Sequence, residues 1–425
     1  MNKVAIIGLG YTGLPTLAAV HLTGKHKVVG FDINQEKIKI IKSGKSPIVD
    51  SEVEKVISSN NIDVSSDENI LNNSDIFIVC VPTPVLDDYT PDYGPVMSAS
   101  KTVAKYLKKG CHFVLESTVN PGTCEEIVLP ILEKESGLKA GKDFNIAHCP
   151  ERIWPGENKW SIHNINRNIG SMDKNKNKEI ADFYREFINE AEVHEVSSLK
   201  VAESTKIVEN TFRDINIAYV NELAQSFDSM GIDLVETLQA ASNKPFGFMV
   251  HWPGCGVGGH CIGVDPYYLI KRASLSGFNH KFLKLAREIN NGMPLYTIHK
   301  LILGLNTIAL SIKDTKIAIL GLSYKPNVGD MRESPALIIR SELQKLGADV
   351  VSFDPFINGN GAKKDLASTV KDAKAIVICT AHKEIVEGIY LVLKGSKVKV
   401  IVDGRNCLDK GKIEKMGIKY YGIGR

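Results

Sequence analysis

The sequence predicts an α/β protein with a doubly wound parallel sheet towards each end, joined by a long central helix and a helical middle region. Three observations carry the prediction. Through the first half, apolar runs of strand length alternate with helical patterns, the rhythm of βαβ units. From 198 to 230 the chain then runs without Gly or Pro. Strand-length apolar runs return in the last quarter.

The elements follow in order. Residues 4–8, 27–31, 76–81, 112–116 and 145–148 are strand-like apolar runs separated by helical patterns, the signature of a parallel, doubly wound sheet. Residues 198–230 carry Val201, Ile207, Val208, Phe212, Ile215 and Val220, which makes them one long helix. A second helical region over 266–310 follows a glycine-rich loop. Strands resume at 316–320, 349–353, 375–379 and 399–402. At roughly 100–200 residues per domain, 425 residues make two or three domains. We divide the chain into an α/β domain over 1–197, a helical domain over 198–313 and a smaller α/β domain over 314–425.

Composition narrows the function classes. Hydrophobic residues at 43%, charged residues at 24% and a mean hydropathy of -0.07 are ordinary for globular proteins and exclude disorder as the main state. Lys and Arg (52) nearly balance Asp and Glu (49), so no field for a nucleic-acid backbone arises. No apolar stretch reaches the eighteen or so residues of a membrane span, and the N-terminal apolar run breaks on a glycine-rich turn instead of reading as a signal peptide. The eight cysteines have no CxxC pair and no regular spacing, so neither a disulfide framework nor a metal site is expected and a reducing cytoplasm fits.

The first turn carries the first chemistry. Gly8-Leu9-Gly10-Tyr11-Thr12-Gly13 follows a strand and opens a helix, where glycines make the tight turn, admit a pyrophosphate and pack the helix on the sheet. A second strand ends at Asp32, placed to accept hydrogen bonds from ribose hydroxyls and to repel a 2′-phosphate, which predicts NAD over NADP. The ends thus read as two Rossmann-like doubly wound domains. Val81-Pro82-Thr83-Pro84 and Glu116-Ser117-Thr118 lie past later strands, at the carboxyl edge where ligands bind, although each could also be an ordinary turn.

The segment from Gly254 to Pro266 contains five glycines in thirteen residues and two cysteines. Cys261 precedes a predicted helix, whose N-terminal dipole favours a thiolate, and Asp265 lies four residues on. Cys255 lacks that setting, and His260 beside Cys261 offers either a catalytic partner or a residue pointing away. On the long helix Glu203, Lys206 and Asn210 share a face, equally consistent with a solvated salt-bridged surface.

Taken together, the dinucleotide fingerprint, Glu116-Ser117-Thr118-Val119, Pro150-Glu151-Arg152, the Lys206/Asn210 helix, Gly258-Gly259-His260-Cys261 and Gly321-Leu322-Ser323-Tyr324-Lys325-Pro326 followed by Asp330-Met331-Arg332-Glu333-Ser334-Pro335 span nearly the whole chain. This order resembles the UDP-glucose/GDP-mannose dehydrogenase family. The resemblance implies a four-electron oxidation of a nucleotide sugar's primary alcohol to a carboxylate, with two NAD per sugar. It implies Cys261 as nucleophile, Lys206 and Asn210 as oxyanion partners, Glu151 in acid/base work, Thr118 placing a water and Asp265 assisting. Gly8, Gly10, Tyr11, Thr12, Gly13, Asp32, Thr83, Thr118 and Arg332 would hold the cofactor. Glu151, Arg152, Lys206, Asn210, Phe246, Gly247, Gly258, Lys325 and Arg405 would hold the sugar nucleotide.

Two departures from the family pattern stand out. Cys255 stands where many members of that family have proline or another residue, which puts a second thiol near the expected site. The specificity signals also diverge: Pro150 to Gly156 followed by His163-Asn164 looks like the UDP-N-acetylmannosamine branch, and Lys244-Pro245-Phe246-Gly247-Phe248-Met249 like the UDP-N-acetylglucosamine branch. The expected substrate is therefore a UDP-N-acetylhexosamine, with UDP-glucose oxidation or a single-oxidation β-hydroxyacid dehydrogenase as alternatives, and a non-enzymatic sugar-nucleotide regulator as a further one. A homodimer built on the long helix is expected, with neither nucleic acid nor membrane as partner.

Overall fold

The computed structural model describes residues 2–59, 61–86, 89–153, 160–259, 261–363 and 365–425. His260 and the Trp154-Pro155-Gly156 segment singled out above lie outside the described residues. The chain forms two compact units, Met1–Glu209 with Tyr267–Ser276, and Asn210–Pro266 with Gly277–Arg425.

The first unit contains strands β1 (Lys3–Ile7), β2 (Lys27–Phe31), β3 (Asp63–Ser65), β4 (Ile76–Val79), β5 (His112–Leu115), β6 (Asn145–His148), β7 (Arg167–Ser171) and β8 (Val193–Glu195). They form one sheet in the order β3-β2-β1-β4-β5-β6-β7-β8. Helices α1 (Gly13–Leu22), α2 (Gln35–Lys42), α3 (Ser51–Ser58), α4 (Gly94–Ala104), α5 (Leu129–Ser136) and α6 (Lys174–Arg185) complete it. Val4 and Ile6 of β1 pack with Leu14 and Leu17 of α1 on one face, while Ala5 and Ile7 pack with Val96 and Val103 of α4 on the other. Covering on both faces explains the continuous apolar runs. The sheet is not wholly parallel, because β7 pairs antiparallel with β6. The sequence reading passed over β7 because Arg167-Asn168-Ile169-Gly170-Ser171 is largely polar, yet Arg167 is fully buried and a Cβ on Gly170 would overlap the Ser198 carbonyl.

Helix α7 (Leu199–Met230) begins in the first unit and ends in the second. After it come α8 (Leu234–Ala241) and, where one helical region was expected, two helices, α9 (Asp265–Leu275) and α10 (Phe282–Asn306). Gly277 between them has φ 84, a left-handed conformation that ends a helix.

The second unit holds strands β9 (Lys316–Leu320), β10 (Asp349–Phe353), β11 (Ala362–Lys363), β12 (Ala375–Ile378), β13 (Val400–Asp403) and β14 (Lys419–Gly422), all parallel, in the order β11-β10-β9-β12-β13-β14. Helices α11 (Pro335–Lys345), α12 (Leu366–Val370), α13 (Lys383–Leu393) and α14 (Lys410–Lys415) lie along it. Ile317 and Ile319 pack with Leu301 of α10 and Ile339 of α11, and Ala318 and Leu320 with Ile385 and Ile389 of α13.

The two sheets repeat one construction at the centre. After β1, Gly8 (φ 91) donates its N–H to the Phe31 carbonyl at 2.8 Å and Leu9 N–H reaches the Asp32 carboxylate at 2.8 Å. After β9, Gly321 (φ 85) donates to the Phe353 carbonyl at 2.8 Å and Leu322 N–H reaches Asp354 at 2.7 Å. Among the described residues no helix is long and apolar enough to cross a membrane.

Candidate active site

In the first unit the candidate residues gather at the carboxyl ends of β1, β2, β4, β5 and β6, the edge at which doubly wound sheets bind ligands. The glycines of the first turn each have a distinct reason. A Cβ on Gly8 would come within 2.9 Å of the Cys80 carbonyl oxygen, and one on Gly13 would overlap the Gly8 carbonyl, so both positions admit only glycine. Gly10 has nothing within 4 Å of its Cβ position, which leaves the rim of the turn open to a diphosphate. Tyr11 is exposed and Thr12 half-buried beside it. The Asp32 carboxylate is buried and accepts from Leu9 N–H, from Asn34 N–H at 2.9 Å and from the Lys37 ammonium at 2.6 Å. Lys37 escaped the sequence reading because it lies on the exposed side of α2. The Thr83 carbonyl accepts from Tyr268 Oη at 2.5 Å, so Thr83 presents its side chain from a pinned backbone. These groups fit an NAD diphosphate and ribose.

Glu151 follows β6 and is buried; the Ile153 N–H donates to its carboxylate. The Lys206 ammonium stands 3.7 Å from that carboxylate. Burial, with the Lys206 charge added, pushes the neighbouring His148 down to about 3, so the ring is neutral and Lys206 directs its charge to Glu151. Thr118 is half-buried just past β5. Arg152 is held by Glu209 at 2.6 Å and by the Asn166 carbonyl at 2.8 Å. Glu203, expected on the Lys206 face, instead accepts from the N–H groups of Gly122 and Cys124 at 2.5 and 2.7 Å and so caps the turn after Thr118. A buried group the sequence reading missed lies behind this edge: Arg167 donates to the Pro150 carbonyl at 3.2 Å, and Tyr184 Oη to Glu116 at 2.5 Å.

In the second unit Cys261 is partly exposed, in a turn that leads directly into α9, and its carbonyl accepts from Asp265 N–H at 2.8 Å. Asp265 is buried and accepts from Asn210 Nδ2 at 2.6 Å, which ties the nucleophile turn to α7. Burial holds the Arg213 guanidinium below its usual range, opposed by the charge of Cys261, and Arg332, raised above its usual range first by Asp330, also senses that charge. Arg213 is a cation near the thiol that the sequence reading did not single out; its position three residues beyond Asn210 was the available signal. Gly258 and Gly259 lie against the loop after β9: their Cβ positions fall 2.7 Å from the Glu333 carbonyl and 2.6 Å from the Tyr324 ring. Gly259 N–H donates to the Arg332 carbonyl at 3.0 Å.

Cys255, whose role the sequence leaves open, is fully buried in the core of the second sheet, with its N–H on the Gly404 carbonyl at 2.9 Å and Sγ 3.6 Å from the Cys379 carbonyl. Arg405 Nε donates to the same Cys379 carbonyl at 2.7 Å, and a side chain on Gly254 would collide with the Arg405 guanidinium. Lys325 is half-buried on the loop after β9. Phe246 and Gly247 stand on the exposed turn after α8, where the Lys244 ammonium sits 4.8 Å from the Phe246 ring centre.

A glycine turn and strand-end carboxylate on one sheet, with a cysteine loop seated on a second sheet, define a dinucleotide-dependent dehydrogenase of the two-sheet type. The chain belongs to the UDP-glucose/GDP-mannose dehydrogenase family, matching its NAD binding domain over residues 2–188, its central domain over 200–292 and its UDP binding domain over 318–410. It is 36% identical over 418 residues to a UDP-N-acetyl-D-glucosamine 6-dehydrogenase of Pseudomonas aeruginosa, covering 96% of this chain and 98% of the relative. It is 35% identical over 428 residues to a UDP-N-acetyl-D-mannosamine dehydrogenase of Pyrococcus horikoshii, covering 100% of this chain and 99% of the relative. A solved UDP-D-ManNAc dehydrogenase from Pyrococcus horikoshii superposes with a TM-score of 0.92 at 34% identity, over 100% of this chain and 99% of that one.

Proposed function

We propose that the protein oxidises the C6 hydroxymethyl of a UDP-N-acetylhexosamine, UDP-GlcNAc or UDP-ManNAc, to the uronic acid. The observation that carries this reading is the Asn210–Asp265–Cys261 arrangement in a loop built from glycine. Relatives at similar identity carry both sugar names, which supports the N-acetylhexosamine class and leaves the epimer to experiment.

The Gly8–Gly13 turn and Asp32 would hold NAD, which would accept a hydride twice per sugar. Oxidation of the alcohol gives the aldehyde, and the Cys261 thiolate adds to its carbonyl carbon to form a thiohemiacetal. Lys206 and Asn210 meet the oxygen as it becomes negative, each preorganised donor contributing about a hundred- to a thousandfold in rate. Oxidation of the thiohemiacetal gives a thioester; water placed by Thr118 and deprotonated by Glu151 attacks it, and the thiolate leaves. Asp265 orients Asn210 and assists at the water. Lys325, Arg332 and Arg405 offer cations to the diphosphates. The proposal includes a homodimer, supported by exposed Phe212 and Tyr219 on α7, and a reducing cytoplasm, supported by eight free thiols.

The test is NADH yield per mole of limiting UDP-GlcNAc, UDP-ManNAc, UDP-glucose or UDP-galactose, with Cys261→Ser alongside. A yield near two on an N-acetylhexosamine, lost in the variant, is expected. A yield near one, or full activity without the thiol, would promote the single-oxidation alternative; turnover of UDP-glucose alone would overturn the substrate class.

A further inference from the structure

The loop that underlies the nucleophile is itself fastened from inside the second sheet. Asp354, just after β10, and His382, just before α13, are both fully buried side chains. Asp354 Oδ2 accepts from Leu322 N–H at 2.7 Å, from Ser323 N–H and Oγ at 2.8 Å and from His382 Nε2 at 3.0 Å, while Oδ1 accepts from Phe356 N–H at 2.9 Å. On its other side, His382 Nδ1 accepts the Asn327 N–H at 3.0 Å. A backbone donor at Nδ1 and a carboxylate at Nε2 leave one neutral tautomer, protonated at Nε2. Burial works against ionising Asp354, but the His382 ring and the Ser323 N–H outweigh it and hold the carboxyl well below its usual range. The Thr380 hydroxyl donates to the Ser323 carbonyl, and Lys383 N–H to Asn327 Oδ1 at 3.2 Å.

These bonds brace the loop from one side. Asn327 and Glu333 both adopt left-handed backbone, at φ 60 and 51, conformations that persist in non-glycine residues where surrounding structure fixes them. The opposite side of the loop forms the floor of the cysteine loop: the Tyr324 ring lies on Gly259, the Glu333 carbonyl on Gly258, and the Arg332 carbonyl takes the Gly259 N–H. Cys261 is two residues further on.

We propose that His382 is a positioning residue for the nucleophile, acting through Asp354, the 322–334 loop and Tyr324 to seat Gly258-Gly259 and thereby aim Cys261. The inference rests on the reading of Cys261 as nucleophile. A displacement of about 1 Å at a reacting group costs about a hundredfold in rate, so a residue that never touches substrate can govern turnover.

The experiment compares His382→Leu, which keeps bulk and loses both hydrogen bonds, with His382→Gln, whose amide nitrogen lies the same number of bonds from Cβ as Nε2 and can still donate to Asp354. Four readouts are taken on the full-length enzyme: kcat and KM for the preferred UDP-N-acetylhexosamine, NAD affinity, melting temperature, and the iodoacetamide alkylation rate of the Cys261 peptide by mass spectrometry. His382→Leu is expected to lower kcat by about thirtyfold or more and to change the Cys261 alkylation rate severalfold; His382→Gln should recover most of both. Wild-type kcat and alkylation in His382→Leu would overturn the proposal, as would a loss of kcat, NAD affinity and alkylation in common proportion to the folded fraction. If His382→Leu does not fold, Tyr324→Leu, which removes the floor and spares the buried pair, carries the same expectations and the same refutation. Failure of the nucleophile reading would appear separately, as wild-type NADH yield in Cys261→Ser.

Discussion

The Lys206 ammonium lies 3.7 Å from the Glu151 carboxylate, with both side chains almost removed from solvent. Each charge has the other as a fixed counterpart, so their orientation is set before substrate arrives. Lys206→Ala should lower kcat by about a hundred- to a thousandfold through loss of an oxyanion donor, with little change in helicity because alanine suits a helix. Glu151→Gln should instead stall hydrolysis, and intact-mass spectrometry after mixing with NAD and sugar nucleotide should show an acyl adduct on Cys261. Circular dichroism and steady-state kinetics on the two variants check the pair.

Under the proposed reading, Asp32 sets the cofactor preference. NAD should exceed NADP by at least about tenfold in kcat/KM, equivalent to about 1.4 kcal/mol. Because Lys37 lies 2.6 Å from Asp32 and offsets part of its charge, Lys37→Ala should widen the gap and Asp32→Gly should narrow it. Parallel kcat/KM measurements with both cofactors decide the matter.

Cys255 is a packing residue and should behave as one. Cys255→Ser exchanges a large, soft sulfur packed in the core for a smaller hydroxyl whose shorter bond reaches less well to the Cys379 carbonyl, at a cost of roughly 1–3 kcal/mol. The melting temperature should fall by several degrees, while NADH yield per sugar stays at two in the folded enzyme. A thermal scan and an end-point yield on the same sample separate the two effects.

His163, ahead of β7, is fastened to α3. Its Nε2 meets the Glu52 carboxylate at 2.9 Å and its Nδ1 the Phe187 carbonyl at 2.6 Å, and Glu190 adds a further negative charge. The hydrogen bond to Glu52 is the main cause that raises the imidazole to about 8. A raised pKa stabilises the fold fully below about pH 6.5 and loses that contribution as pH rises through about 8. The contribution should be about 1 kcal/mol, since both partners are partly solvated. Denaturation midpoints from pH 6 to 9 should show this decline in the wild type and a flatter profile in His163→Gln.

The strands β1, β2, β4, β5, β6, β9, β10, β12 and β13 were legible because burial on both faces leaves a run of apolar residues. The strands β3 and β8 were not, being three residues each at or near an edge, and β7 was hidden by its polar residues. In the site, the Gly8–Gly13 turn, Asp32 and the Cys261 loop were legible because close backbone approach demands glycine at fixed spacing. Arg167, Lys37 and the Asp354–His382 pair were not. A buried polar side chain satisfied by a partner 28 positions away, as with Asp354 and His382, leaves no periodic trace. The one available signal was that Asp354 follows β10 as Asp32 follows β2.

That resemblance between the two sheets bears on timing. Asp354, the counterpart of Asp32, is bonded to the protein's own Leu322, Ser323 and His382, and we propose the Gly8–Gly13 turn with Asp32 as the berth for the dinucleotide. Under the proposed reaction, the two oxidations of a sugar must wait in line for it: the first reduced cofactor departs and a fresh one arrives while the half-finished substrate stays in place. The bond to Cys261 is what keeps the sugar aboard through that change of shift, and the lifetime of the thiohemiacetal, rather than the speed of either oxidation, sets how slowly the exchange can run before aldehyde escapes.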